Sequence, residues 1–135
     1  MPSSPAALLE GALSGIHWGH MEKNGTVLLR SYFNRPTVDV ARSLIGQYLV
    51  RKGTHGLLAG RIIEVEAYVG PEDRACHASK GRTARTEVLF GPPGHAYVYL
   101  CYGMHEMLNV VTEQDGFPAA ILLRAVECDG RLIDG

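Results

Sequence analysis

The stretch Leu58 to Val69, LAGRIIEVEAYV, decides the reading of the fold. Its second half alternates: Ile63, Val65, Ala67 and Val69 interleave with Glu64, Glu66 and Tyr68. A strand turns successive side chains to opposite faces, so this pattern predicts a half-buried strand. The aliphatic residues are expected on the core face, and both carboxylates and the tyrosine on the other. Gly70-Pro71 ends the run. Two glutamates on one strand face are most simply a solvated surface. Tyr68 beside Glu66, followed by a basic loop, reads instead as the wall of a cleft.

Working back toward the N-terminus, Gln47 to Lys52 is apolar enough for a preceding strand. Gly53-Thr54-His55-Gly56 supplies a turn, so the two strands should pair as a hairpin. Before them, Thr37 can cap a helix from Val38 to about Ile45, with Asp39 in its first turn and Gly46 as its stop. Val38, Ala41, Leu44 and Ile45 share one face, which is expected to pack on apolar surface. Residues 1 to 28 read as a mobile lead-in, with a short helix from Pro5 to Leu13. The organised domain is placed at residues 29 to 135.

Working forward, residues 70 to 95 are rich in glycine and proline and are expected to be irregular, apart from a short helix around Asp73 to His77. A long irregular segment in a small domain is usually functional or disordered. Between Arg74 and Arg85 lie four cations, Arg74, Lys80, Arg82 and Arg85, and no acid. Ala96 to Cys101 and Met107 to Val111 read as strands joined by a tip at residues 102 to 106. Ala119 to Val126 is a last apolar strand, expected at an exposed edge. Together these elements predict an α+β fold: one domain, a mainly antiparallel curved β-sheet with a protruding β-hairpin, and peripheral helices.

Bulk properties narrow the function. The 135 residues are 46% hydrophobic and 20% charged, which suits a single globular core. No apolar run approaches the ~20 residues of a membrane-spanning helix. The first residues lack the basic start of a secretion signal, so a cytoplasmic or nuclear location is expected. Cys76, Cys101 and Cys128 form no CxxC pair, and six histidines show no ligand spacing, so neither a metal nor another cofactor is expected. The formal net charge of −1 is unfavourable for a nucleic-acid partner, leaving phosphate contact to the local cluster at 74–85.

Two further residues are anomalous. Tyr102 and Met104 flank Gly103 at a turn, where small polar residues are usual. They either fold back into a local core or wedge between base steps of DNA. Arg124 interrupts an apolar strand and needs an anionic partner. That partner could be structural, such as Glu64, or it could be a catalytic carboxylate or a phosphate.

Four ordered blocks carry a resemblance: RPTVDVARSLIGQYLVR (35–51), GRIIEVEAYVGPEDRACHASKGRTART (60–86), GHAYVYLCYGMHEMLNVV (94–111) and AAILLRAVE (119–127). In this order the chain resembles the alkyladenine (3-methyladenine) DNA glycosylases, the methylpurine glycosylases. The family domain extends beyond the final block, so its C-terminal part is expected to be absent from these residues. The resemblance implies excision of 3-methyladenine, 7-methylguanine or hypoxanthine from double-stranded DNA, by base flipping and hydrolysis. Glu66 matches the general base. Arg124 matches an arginine near the catalytic water and phosphate. Tyr68 and His77 match residues that sandwich the flipped purine, and Tyr99 matches the opposite aromatic wall. Asn109 matches a residue that discriminates among purines. Tyr102, with Met104 beside it, matches the side chain inserted into the duplex. Arg82 and Arg85 fall in a loop that approaches DNA. No lysine matches a Schiff-base nucleophile, which implies a monofunctional enzyme, and a monomer is expected.

Other readings stay open at this point. One is a catalytically impaired fragment of the same family that binds damaged DNA. Another is a β-domain that stacks single-stranded bases. A carbohydrate hydrolase using Glu64 and Glu66 is disfavoured, because neighbours ~6.6 Å apart on one strand cannot flank a bond from opposite sides.

Overall fold

The computed structural model describes residues 6–8, 16–19, 28–53, 56–101, 103–128 and 131–134. Its strands are β1 (Ala6–Leu8), β2 (Ile16–Gly19), β3 (Tyr48–Gly53), β4 (Gly56–Val69), β5 (Ala96–Cys101), β6 (His105–Val111), β7 (Ala119–Cys128) and β8 (Arg131–Asp134). One helix, α1, spans Thr37–Leu44. All the strand pairs are antiparallel, in the order β1-β2-β3-β4-β7-β6-β5, with β8 also paired to β7. The chain is therefore a small α+β domain. No helix among the described residues is long and apolar enough to cross a membrane.

β7 is not an edge. It lies between β4 on one side and β6 and β8 on the other, and Ala119 to Leu123 are all buried. A near-continuous apolar run is what a strand covered on both faces requires, so the run that seemed to end the sheet occupies its middle. In the lead-in, Ala6–Leu8 form a strand paired with β2, in place of the helix expected from Pro5.

The alternation along β4 contains an irregularity. Ile62 pairs with Val126 and Glu64 with Ala125, so Ile63 is an extra residue on β4. The next step reverses this: Glu64 pairs with Ala125 and Val65 with Leu123, so Arg124 is an extra residue on β7. Two facing bulges thus cancel and restore register. The first makes Ile62, at 0% exposure, the buried aliphatic residue in place of Ile63. The second places Arg124 where the ladder is interrupted, one reason a cation is tolerated in this strand.

α1 also differs in detail. Its buried face is Thr37, Val40, Ala41 and Leu44, while Val38 and Ile45 are exposed. Thr37 is the first helical residue and not the cap; Pro36 holds the cap position without a side-chain bond. The carboxylate of Glu113 supplies the missing acceptor, taking hydrogen bonds from both the Thr37 amide and its hydroxyl. An anion at a helix N-terminus is doubly favourable, satisfying an open N–H and complementing the helix dipole. Glu113 is held there in left-handed backbone, φ 64°. Its own amide donates to the Phe33 carbonyl.

Two buried clusters result. Beneath α1, Phe33, Val40, Leu44, Ile62, Val110 and Ile121 form an aliphatic core around one aromatic ring. On the opposite face of the sheet, Cys76, Leu89, Tyr97, Val111 and Ala120 form a second cluster, with Tyr68, Phe90 and Tyr99 packed against it.

Candidate active site

β4 delivers Glu66 and Tyr68 to one face, two residues apart, and their side chains meet. The Tyr68 hydroxyl donates to Glu66 Oε2 at 2.5 Å. From β7, Arg124 Nε stands 3.8 Å from Glu66 Oε1. That distance is an ion pair but too long for a hydrogen bond. Arg124 Nε is buried and makes no hydrogen bond among the described residues. The partner of Arg124 is thus Glu66 and not Glu64. The Glu66 side chain keeps 46% exposure. A carboxylate has about four acceptor sites, so two contacts leave capacity to accept a proton from water. Burial pushes the Tyr68 phenol well above its ordinary range, and its bond to the Glu66 carboxylate adds to the rise. The phenol is therefore a donor toward Glu66.

Past Gly70 the chain turns into the basic loop. Gly70 has φ 73°, and a Cβ there would lie 2.9 Å from Phe117 Cζ, so glycine is required by backbone and space together. Asp73 then fastens the loop, accepting from the amides of Val69 and Ala75. The short helix of this loop is His77–Lys80, a 3-10 turn beginning where the expected helix was to end. A second 3-10 turn spans Glu87–Phe90.

The loop, β4, β5, β6 and β7 enclose a recess of about 40 Å³, lined by Tyr68, Ala75, Cys76, His77, Leu89, Tyr97, Tyr99, Asn109 and Ala120. Tyr68, His77, Tyr99 and Asn109, the four residues expected to line one pocket, do line one recess. Its shape differs from an open slot. The rings of His77 and Tyr99 are in contact, with centroids 4.4 Å apart at 64°. At roughly 10–15 Å³ per water the recess accommodates a few water molecules and no purine. A neighbouring cavity of about 330 Å³ shares Ala75, Cys76 and His77 with it, and is lined also by Arg74 and Arg85.

Asn109 is 2% exposed. Its amide donates to the carbonyls of Tyr97 and Met107, tying β6 to β5. The loop arginines turn toward aromatic rings: Arg82 lies 5.3 Å from the Phe90 ring centroid and Arg85 5.8 Å from that of Tyr99. Met104 is 76% exposed beside Gly103, whose φ is 66°. Tyr102 lies outside the described residues, as does the side chain of Lys80. Among the described residues Cys76 is buried and in no disulfide.

The sequence places Tyr97 only within the strand Ala96 to Cys101, yet its hydroxyl is 3.0 Å from His77 Nδ1. Strand alternation gives the signal: Tyr97 and Tyr99 share a face.

Comparison with known proteins identifies the family. Residues 31–132 match the family described as Methylpurine-DNA glycosylase (MPG). The chain belongs to that family. Relatives bearing the name "Putative 3-methyladenine DNA glycosylase" include one from Methanocella arvoryzae, 61% identical over 101 residues, which are 75% of this chain and 50% of that protein. One from Legionella pneumophila (strain Paris) is 56% identical over 100 residues, 74% of this chain and 55% of that protein. One from Myxococcus xanthus is also 56% identical over 100 residues, 74% and 52% respectively. The chain thus spans about half the length of the curated relatives it matches.

Proposed function

We propose that this methylpurine-DNA glycosylase chain hydrolyses the N-glycosidic bond of alkylated or deaminated purines in double-stranded DNA, with Glu66 as the general base. The observation that carries this reading is the Tyr68–Glu66–Arg124 group, whose Tyr68 also lines the aromatic recess.

A stacked base shields its glycosidic carbon, so the nucleotide must rotate out of the duplex. Unpairing costs a few kcal/mol, least for a damaged or mispaired base, and this gives part of the selectivity. In this reading Tyr102 and Met104 enter the gap in the stack, and Arg82 meets the backbone. Because His77 and Tyr99 touch, entry of the base requires their rings to part. The base gains stacking of ~1–3 kcal/mol in return, and a cationic alkylpurine gains more against electron-rich ring faces.

The chemistry then asks little of the protein. Glu66 takes a proton as the water oxygen bonds to C1′, and the C1′–N bond breaks with its electron pair leaving on the purine. A purine that was cationic departs neutral. The negative Glu66 also favours positive charge building on the sugar. Tyr68 and Arg124, one on each carboxylate oxygen, hold Glu66 in place.

The test is release of hypoxanthine and of a methylated purine from duplex DNA, read as alkali-labile abasic sites. Glu66→Gln should lower the single-turnover rate by roughly 10²–10⁴ while binding to lesion duplex persists. Undiminished release by the variant would remove Glu66 from the role. Binding without release by the unaltered chain would instead make it a damaged-DNA binder.

A further inference from the structure

Tyr97 takes no part in the proposed chemistry, yet it is a polar side chain at 5% exposure in the wall of the recess. Its hydroxyl is 3.0 Å from His77 Nδ1, a hydrogen bond that ties the loop to β5. A phenol buried so deeply needs such a partner, because an unmatched hydroxyl is costly away from water. The same histidine ring lies against Tyr99, with centroids 4.4 Å apart. Tyr97 and Tyr99 rise from one face of β5, their ring centroids 5.6 Å apart. His77 therefore packs against both.

The closed recess sets what must move. A purine held between two rings separates them by roughly 7 Å, twice the contact distance of carbon atoms, so the His77–Tyr99 spacing has to grow by about 2.5 Å. β5 is the stiffer wall. Each of its residues from Ala96 to Cys101 pairs with β6, and the Asn109 amide donates to the Tyr97 carbonyl. In the loop, the amides of Cys76 and Ser79, on either side of His77, bond the nearby carbonyls of Asp73 and Cys76. Such a locally bonded segment opens more readily than a paired strand, so the histidine is the side that yields. Because both tyrosines stand on one face, withdrawal from Tyr99 also carries His77 away from the Tyr97 hydroxyl, past the ~3.5 Å at which a hydrogen bond is lost.

We infer that the Tyr97 hydroxyl is a specificity-determining latch: it holds His77 across the empty pocket, and an everted base enters only when that bond is given up. The inference rests on the reading of the recess as the base pocket. The cost of opening is the same for every base, but its consequence is not. A lesion that stacks strongly stays almost fully engaged despite the cost, and its release at saturating protein loses little. An undamaged purine is engaged in a small fraction of complexes, and that fraction falls by the whole factor. The latch thus widens the gap between damaged and undamaged purines.

The test compares the unaltered chain with Tyr97→Phe, which deletes one buried oxygen and keeps the ring. The first measurement is native-state hydrogen exchange of the free chain. The Cys76 and Ser79 amides should exchange roughly 2- to 10-fold faster in the variant, the range that one net hydrogen bond supplies. His77→Phe removes the same contact from the loop side and should quicken exchange alike, while the double variant should exchange no faster than either single one. The second measurement is single-turnover base release at saturating protein. The ratio of hypoxanthine release to undamaged adenine release should fall roughly 2- to 10-fold in Tyr97→Phe, through a rise in the adenine rate. Unchanged exchange in both single variants, or the two release rates moving together, would overturn the inference and leave Tyr97 as part of the wall. Exchange that quickens as expected, with no base released by either chain, would count against the proposed activity and not against the latch.

Discussion

The two faces of the sheet are built from different material. Under α1 the buried side chains are almost all aliphatic, and Phe33, Leu44, Ile62 and Val110 are close to fully buried. On the other face the cluster is aromatic and polar-handled: Tyr97 is buried with its hydroxyl bonded, Tyr68 and Tyr99 are half-buried, and Cys76 and His77 line the recess. Aliphatic burial is nondirectional and stabilises in proportion to the area removed from water. Aromatic rings with hydroxyl or imidazole groups bury apolar area while holding a hydrogen-bonding group in a fixed direction. The first face holds the domain together; the second presents polar groups in fixed directions around the recess.

Substitutions can break or sharpen that contrast. The largest stability effect belongs to the aliphatic face. Phe33→Ala should destabilise the chain by about 3–5 kcal/mol, read as a lower urea midpoint. A loss below about 1 kcal/mol would mean that this face is not the structural one. On the aromatic face the effect should move from stability to ligand. Tyr99→Leu should weaken binding of lesion-bearing duplex by roughly 1–3 kcal/mol, with a stability change under about 1.5 kcal/mol because the side chain is only half-buried. Equal effects on both would erase the contrast.

The smallest effect is one of pH. Tyr68 has a phenol raised above its ordinary value of 10.0 by burial and by its bond to Glu66. Above that ordinary value the unfolded chain releases the proton while the folded chain keeps it. The stabilising contribution is therefore complete below about pH 10 and is lost as pH rises further. Urea midpoints should fall more steeply above pH 10 in the unaltered chain than in Tyr68→Phe. Parallel pH curves would show that the fold does not raise the phenol.

How much of this was legible before the structure depends on the residue. The β3–β4 hairpin follows from alternation and a glycine-bounded turn, and β5 coincides with its expected limits, because periodicity and turn chemistry are local. The same alternation put Ile63 on the core face, since a bulge changes the phase of a strand without changing the composition around it. The face of α1 shifted because the partner surface, and not the helix, selects among neighbouring apolar positions. Glu113 as the acceptor for the first turn of α1 could not be read at a separation of 76 residues.

The candidate site divides in the same way. Glu66 with Tyr68 was visible because two residues of one strand face meet wherever that strand is placed. Sequence alone also supplied the antiparallel character, the basic loop and the ordered motif blocks that mark the family. Only the tertiary structure decided that β7 is central, that a bulge brings Arg124 to Glu66, and that Tyr97 meets His77. Those relations depend on which strands become neighbours and on a one-residue offset between them. Such offsets are set by the balance of packing over the whole sheet and leave no local pattern in the chain.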